Sequence, residues 1–159
     1  YTAEAADQKD VTNNPTQVSQ RYLQGEARAK LAPLTVLAGY ELLGGSGDPG
    51  NAFQTPLSTL HKFNGWADKF LTTPDRGLQD AHLKLLGKLG PDKALAWVAA
   101  VHGFWADSTG ESYGHEFDAR LSYKITKELT ATLKAATFKS SDAQFTDGTR
   151  AWLTMTVIL

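Results

Sequence analysis

The four histidines are the residues whose chemistry comes first, because imidazole can bind a metal ion or transfer a proton. They stand at His61, His82, His102 and His115. No two lie four residues apart and no His-Glu-x-x-His motif occurs, so the spacing of helical zinc sites is missing. Cysteine is absent, which excludes thiolate ligands and disulfides. We therefore expect no metal site, and we interpret His82 and His102 as structural residues on adjacent strands.

Other chemistry-bearing motifs are also missing. The Gly-rich segment Gly44–Gly50 lacks the Gly-Lys-Ser/Thr ending of a phosphate-binding loop, and we interpret it as a flexible turn. Nothing along the chain pairs a strand serine with a histidine and an acid, so we expect no enzyme and no cofactor. The net charge is -1 and lysine and arginine are dispersed, which argues against nucleic acid as a partner.

Alternating hydrophobicity organises the elements that must position any functional residue. In the last stretch every second residue from Ala151 to Leu159 is apolar, whereas Arg150, Trp152 and Thr154 lie between them. Side chains alternate between the two faces of a β-strand, so this pattern predicts a strand with one apolar and one polar face. The same pattern predicts seven antiparallel strands, with residues 1–16 as a loop; the strands are expected at 17–31, 34–43, 78–89, 94–106, 115–125, 129–138 and 149–159.

The connections between these strands alternate in length. Those at 32–33, 90–92 and 126–128 are short, whereas the others, including the long loop 44–77, are longer. Outer-membrane barrels have short periplasmic turns and long extracellular loops, so we expect 44–77 to be extracellular. Apolar residues at spacings of three and four predict one or two short helices over 57–71. This loop is expected to cap the barrel mouth; if it enters the lumen instead, the candidates for a constriction are Phe63, Trp66, Asp68 and Lys69.

The two faces of the predicted strands differ as in a membrane barrel. Aromatic residues of the apolar face stand near the strand ends, as in the aromatic girdles at a lipid boundary: Tyr40, Trp105 and Phe117 at the long-loop end, and Trp97 and Tyr123 at the short-turn end. The opposite face carries eight basic and five acidic residues, which would favour anions unless the charges pair across strands. The predicted lumen-lining residues are Glu26, Arg28, Lys30, Asp80, His82, Lys84, His102, Asp118, Arg120, Lys124, Lys134 and Arg150.

One segment carries a family resemblance. Residues 52–71, and above all Phe63-Asn64-Gly65-Trp66-Ala67-Asp68-Lys69-Phe70, resemble the C-terminal part of the alginate-export-like family of outer-membrane porins. The resemblance implies a barrel of 16 to 18 strands that passes solutes through a polar lumen; the best-known members export an anionic polysaccharide. The chain departs from the usual pattern because it ends in Leu159 instead of an aromatic residue.

The sequence thus predicts an all-β protein, an antiparallel up-and-down transmembrane β-barrel in the bacterial outer membrane. Seven strands would leave two unpaired edges and place Tyr1 outside the cell, so we expect 1–159 to be the C-terminal portion of one larger barrel domain. Its expected partners are outer-membrane lipid, the remaining N-terminal strands or another chain, and a small polar or anionic solute or a polysaccharide. The alternative is a small soluble β-barrel that binds an apolar ligand inside.

Overall fold

Eight strands form one antiparallel sheet in chain order. The computed structural model describes residues 1–11, 13, 17–55, 64–90 and 92–158. The predicted antiparallel up-and-down order is confirmed, and the predicted bounds 34–43 and 78–89 are those observed. The strands are β1 (Thr2–Lys9), β2 (Ser19–Leu31), β3 (Leu34–Leu43), β4 (Leu78–Leu89), β5 (Leu95–Trp105), β6 (Ser112–Lys124), β7 (Leu129–Ser140) and β8 (Gly148–Val157).

Strand β1 corrects the prediction that residues 1–16 form a loop. It pairs with β2 from Thr2↔Glu26 to Lys9↔Ser19. Alanines and polar side chains occur on both of its faces, so the hydrophobic contrast between the faces is small and the β2 edge supplies the pairing. With eight strands instead of seven, β1 and β8 run in opposite directions, so both chain ends point towards the short-turn side; Ile158 lies beside the β6–β7 turn and Thr2 pairs with Glu26 in the middle of β2. The expectation that the two chain ends lie at opposite ends is therefore wrong.

The sheet is open in the structure. Among the described residues β1 and β8 pair with one neighbour each and not with each other, so the sheet does not close into a barrel. The short helices expected over 57–71 are not found where they can be checked: 64–71 contains only bends, and 57–63 lies outside the described residues. The described part of the chain has no helix of the length and hydrophobicity needed to cross a membrane.

The polarity of the two faces is the reverse of a water-soluble sheet. The apolar face, which carries Leu83, Val101, Phe117, Leu133 and Leu153, is exposed: Leu133 is 51% and Leu153 75% exposed. The other face, called the polar face here, carries charged residues, of which the acids near the centre are covered and most basic residues are exposed. On it Asp80 is 1% and Asp118 0% exposed.

Aromatic residues form a small core on the polar face, at the long-loop end of the strands. Phe70 of the loop 44–77 contacts Phe104 on β5, with ring centroids 4.5 Å apart, and Phe138 on β7 at 6.0 Å. Tyr113 of β6 joins this cluster and its hydroxyl donates to the carbonyl oxygen of Gly77 at 2.9 Å. The core therefore fixes the loop 44–77 against three strands.

Replacing Phe104 by alanine should cost about 3–5 kcal/mol of unfolding free energy, since a large buried ring leaves a cavity. Val101→Ala is the matched control, because Val101 lies on the same strand, faces the other way and is 49% exposed. Denaturant unfolding followed by tryptophan fluorescence measures both. An equal loss for the two variants would contradict the assignment of the core to the polar face.

Candidate functional site: the polar face of the sheet

The strand register brings the predicted lumen residues onto one face. One row runs Glu26, Gly39, His82, His102, Glu116 across β2 to β6. The next row towards the short turns is Arg28, Leu37, Lys84, Ala100, Asp118, Ala136, Arg150, and the row after it contains Lys30, Arg120 and Lys134. Asp80 lies two residues from His82 on β4, and Lys124 lies two residues from Ser122 on β6, so both also face this side. All twelve predicted residues therefore share the polar face.

Charge is segregated along the strand direction on this face. The strand acids Glu26, Glu41, Asp80 and Glu116 lie towards the long-loop end. Asp118 is the one strand acid among the basic rows of the described polar face, and it is completely buried. The half near the short turns, called the basic half here, carries Arg28, Lys30, Lys84, Lys88, Arg120, Lys124, Lys134 and Arg150.

A cavity of about 590 Å³ opens at the short-turn end. Its lining includes Lys30, Lys88 and Arg120, together with the backbone around Pro33. Lys93 also lines the cavity, and four cationic residues around one open volume favour an anionic occupant over a cationic one.

The described parts of the loop, 44–55 and 64–77, contact the polar face of the sheet. Near its start, the backbone N–H of Gln54 donates to Oε1 of Gln8 on β1 at 2.6 Å. Further along, Asp68 forms an ion pair with Arg150 on β8. Since residues 54 and 68 reach the first and last strands, the sheet curls around this loop. The expected cap over the mouth is replaced by a segment that lies on the polar face.

Glu116 is the anchor of the loop. Its Oε1 accepts hydrogen bonds from the backbone N–H groups of Trp66 and of Ala67, the latter at 2.8 Å. Gly65, with φ +84°, precedes these donors, and a Cβ there would lie 2.7 Å from the Glu116 oxygens. Only glycine therefore lets the loop come this close to the carboxylate. Glu116 is 1% exposed, so the two backbone donors offset part of the cost of removing its side-chain oxygens from water.

Three of the four predicted constriction residues lie within the described part of the chain. Trp66 faces the ammonium group of Lys134, which lies 5.1 Å from the Trp66 ring and 4.8 Å from the Trp152 ring. Lys69 Nζ lies 5.6 Å from the centroid of Phe138. Phe63 lies outside the described residues. Three of the four candidates, Trp66, Asp68 and Lys69, therefore contact the polar face.

The predicted girdle aromatics lie on the apolar face. Phe117 and Tyr123 are each 52% exposed and Tyr40 is 40% exposed. Trp97 and Trp105 are half-buried because their rings pack against Gly87 and Gly103.

Arg76 joins the long loops at the rim. Its guanidinium pairs with Glu111 in the β5–β6 loop and with Asp142 in the β7–β8 loop. The backbone N–H of Gln144, and then Arg76, hold the pKa of the Asp142 carboxyl below its usual range. These ion pairs connect the loop 44–77 with the β5–β6 and β7–β8 loops beside the aromatic core.

Two features were missed from the sequence. The first is the set of residues that hold the loop: Glu116 and the rings of Phe104, Tyr113 and Phe138. The sequence feature that could have indicated them is their position at the long-loop ends of β5, β6 and β7.

The second feature is the pattern Gly-x-Ser-x-Gly of hydrolase elbows, which occurs at Gly110–Gly114. Here it forms the turn into β6, and Ser112 is exposed. That pattern needs a strand-to-helix turn to act as an elbow, and this segment leads into a strand.

Comparisons of the chain with protein-family models, curated proteins and solved structures found no match. The resemblance to the alginate-export-like porins stays a prediction that rests on the sequence of 63–70 and its surroundings. Function must be argued from the geometry of the polar face.

Replacing Glu116 by alanine should release the loop, because two backbone donors lose a charged acceptor. Hydrogen bonds to charged groups contribute about 1.5–3 kcal/mol, so amide exchange over 64–71 should accelerate by about tenfold or more. Hydrogen–deuterium exchange measured by mass spectrometry reads this directly. Glu128→Ala, in the β6–β7 turn, is the control and should leave 64–71 unchanged. If the amides of 64–71 exchange equally slowly in Glu116→Ala and in the unaltered protein, Glu116 does not hold the loop.

Proposed function

We propose that the chain forms part of the wall of a bacterial outer-membrane barrel, a passive channel for small polar solutes with a preference for anions. The observation that carries this proposal is the reversed polarity of the two faces. A soluble barrel with an apolar ligand inside would turn its apolar face inward, whereas here the covered face is charged. Transport through such a lumen requires no covalent chemistry.

The exposed apolar face suits a lipid environment. It extends from Leu23 on β2 to Leu153 on β8, and soluble monomers rarely expose apolar patches of more than a few hundred Å². Strands β2 to β8 have 10 to 13 residues, enough to cross a bilayer at a tilt. Trp97 and Trp105 lie eight residues apart on β5, roughly 20 Å in height, close to the spacing of aromatic girdles.

The open edges argue for a barrel larger than this sheet. Lipid does not tolerate the unpaired backbone groups of β1 and β8. A closed barrel of about eight strands has an interior filled by side chains alone, whereas this polar face also holds a loop. We infer that further strands, from the same polypeptide or another chain, complete the wall.

The lumen of this barrel would be selective for charge and narrowed by the loop. The acids at the long-loop end are occupied in part by the loop, since Glu116 binds its backbone and Glu41 Oε2 accepts from Asn64 at 2.7 Å. The remaining open surface is the basic half. Small anions would be concentrated there, and an anionic polysaccharide, the cargo that the resemblance implies, would meet the same rows of cations.

Arginine placed on each face of β7 tests which face meets lipid. Leu133→Arg should cost about 2–4 kcal/mol of folding free energy in lipid vesicles, whereas Thr132→Arg, its neighbour on the polar face, should cost little. Gel-shift assays of the folded fraction in vesicles measure both. An equal cost for the two variants in vesicles, or a protein that fractionates and folds without membranes, would overturn the proposal.

Charge reversal in the basic half tests selectivity. In planar bilayers under a KCl gradient, the reversal potential of the reconstituted protein should indicate anion preference. Arg120→Glu combined with Lys30→Glu should move it towards cation preference, because both residues line the open cavity. Lys127→Glu, in the β6–β7 turn, reverses one charge away from the polar face and should leave the reversal potential unchanged. An unchanged reversal potential in the double variant would remove the assigned role of the basic half.

A further inference from the structure

Three potential metal ligands converge on the polar face below the loop. Strand β4 places Asp80 and His82 two residues apart on one face, and the register sets His102 of β5 directly opposite His82. One donor atom from each of the three residues lies within 4.8 Å of the other two. The arrangement joins two imidazoles and a carboxylate, a ligand set used by transition metals.

The distances suit a single ion. Oδ1 of Asp80 lies 2.9 Å from Nδ1 of His102 and 3.7 Å from Nδ1 of His82. With metal–ligand bonds of about 2.0–2.2 Å, the ligand atoms of a tetrahedral site are roughly 3.3–3.5 Å apart. The two distances from Asp80 lie a few tenths of an ångström on either side of this range. The two imidazole nitrogens lie within 4.8 Å of each other, so binding would draw them together by up to about 1.5 Å and leave a fourth position open.

Asp118 stands where an outer carboxylate is needed. Its Oδ2 lies 3.7 Å from Nε2 of His102, the ring nitrogen opposite the one that faces Asp80. Histidines that bind metals commonly donate their second ring N–H to a carboxylate, which fixes the ring and its tautomer. At 3.7 Å the two atoms are not hydrogen-bonded, and an approach of about 0.7 Å when the ion binds would let Asp118 hold His102 in this way.

The polar atoms of this cluster are incompletely satisfied. Among the described residues, both ring nitrogens of His82, Nε2 of His102 and both carboxylate oxygens of Asp118 have no hydrogen-bond partner. His102 is 5% and Asp118 0% exposed. Buried polar atoms without partners are costly and uncommon, and a bound cation would satisfy the His82 nitrogen directly and Asp118 through His102.

The surroundings hold the two rings in place. Gly39 lies opposite His82 on β3, and a Cβ there would be 2.3 Å from His82 Nε2. The His102 ring stacks on Phe104 at 5.6 Å with an interplanar angle of 14°. The rings are thus positioned by neighbours that do not themselves bind the ion.

We propose that Asp80, His82 and His102 form a binding site for a divalent transition-metal ion such as Zn²⁺, with Asp118 orienting His102. The sequence placed His82 and His102 on adjacent strands and predicted structural roles for them, because it does not contain the register that sets the two rings opposite each other beside Asp80. The site depends on the register of β4 and β5 and not on transport, so it stands or fails independently of the proposed channel.

Metal titration of the purified protein tests this proposal. Isothermal calorimetry with Zn²⁺ should show one site per chain, and Co²⁺ should give visible absorption bands of a tetrahedral complex that Zn²⁺ displaces. His82→Gln and His102→Gln should each weaken binding by roughly a hundredfold, and Asp118→Asn by about ten- to a hundredfold. His115→Gln is the matched control, because His115 is exposed on the apolar face and should bind nothing.

Gly39→Ala separates a metal site from general damage to the fold. It keeps every ligand and displaces only the His82 ring, so it should weaken Zn²⁺ binding while circular dichroism stays that of the unaltered protein. The absence of Zn²⁺ and Co²⁺ binding by the folded, unaltered protein would overturn the proposal. Binding that survives in His82→Gln and His102→Gln would overturn it equally.

Discussion

The structure depends on one constraint, the alternation of side chains across a hydrogen-bonded strand. The side chains on the two faces of each strand therefore meet different surroundings, and each face must match its own. Here three acidic residues are covered: Asp80, Glu116 and Asp118 are each 1% exposed or less. The leucines of the opposite face are exposed. A buried carboxylate is stable only with donors or cations nearby, so the contents of the polar face follow from this choice.

The loop 44–77 meets part of that need. Its backbone supplies N–H donors to Glu116, its Asn64 reaches Glu41, and Phe70 fills the space among the strand aromatics. The loop is thus held by buried anions at one level and by aromatic packing at another. The basic half is left open. The loop therefore covers the acidic region of the polar face and leaves the basic half exposed.

The sequence predicted much of the sheet and less of what lies on it. Alternation located β2 to β8 because leucine and valine contrast strongly with charged neighbours, and it missed β1 because alanine contrasts weakly. The spacing of three and four in 57–71 predicted helices, yet Trp66 and Phe70 owe their placement to docking on Lys134 and Phe104. The cluster of Asp80, His82 and His102 needed the cross-strand register, which no local spacing contains.

The four tryptophans allow the most direct test, since they divide evenly between the faces. Trp97 and Trp105 lie on the apolar face, whereas Trp66 and Trp152 contact Lys134 on the polar face. In single-tryptophan variants reconstituted into vesicles of brominated lipid, the fluorescence of Trp97 and Trp105 should be quenched and that of Trp66 and Trp152 spared. Quenching of Trp66 and Trp152 with Trp97 and Trp105 spared, or no quenching of any tryptophan, would contradict the assignment of the apolar face to lipid.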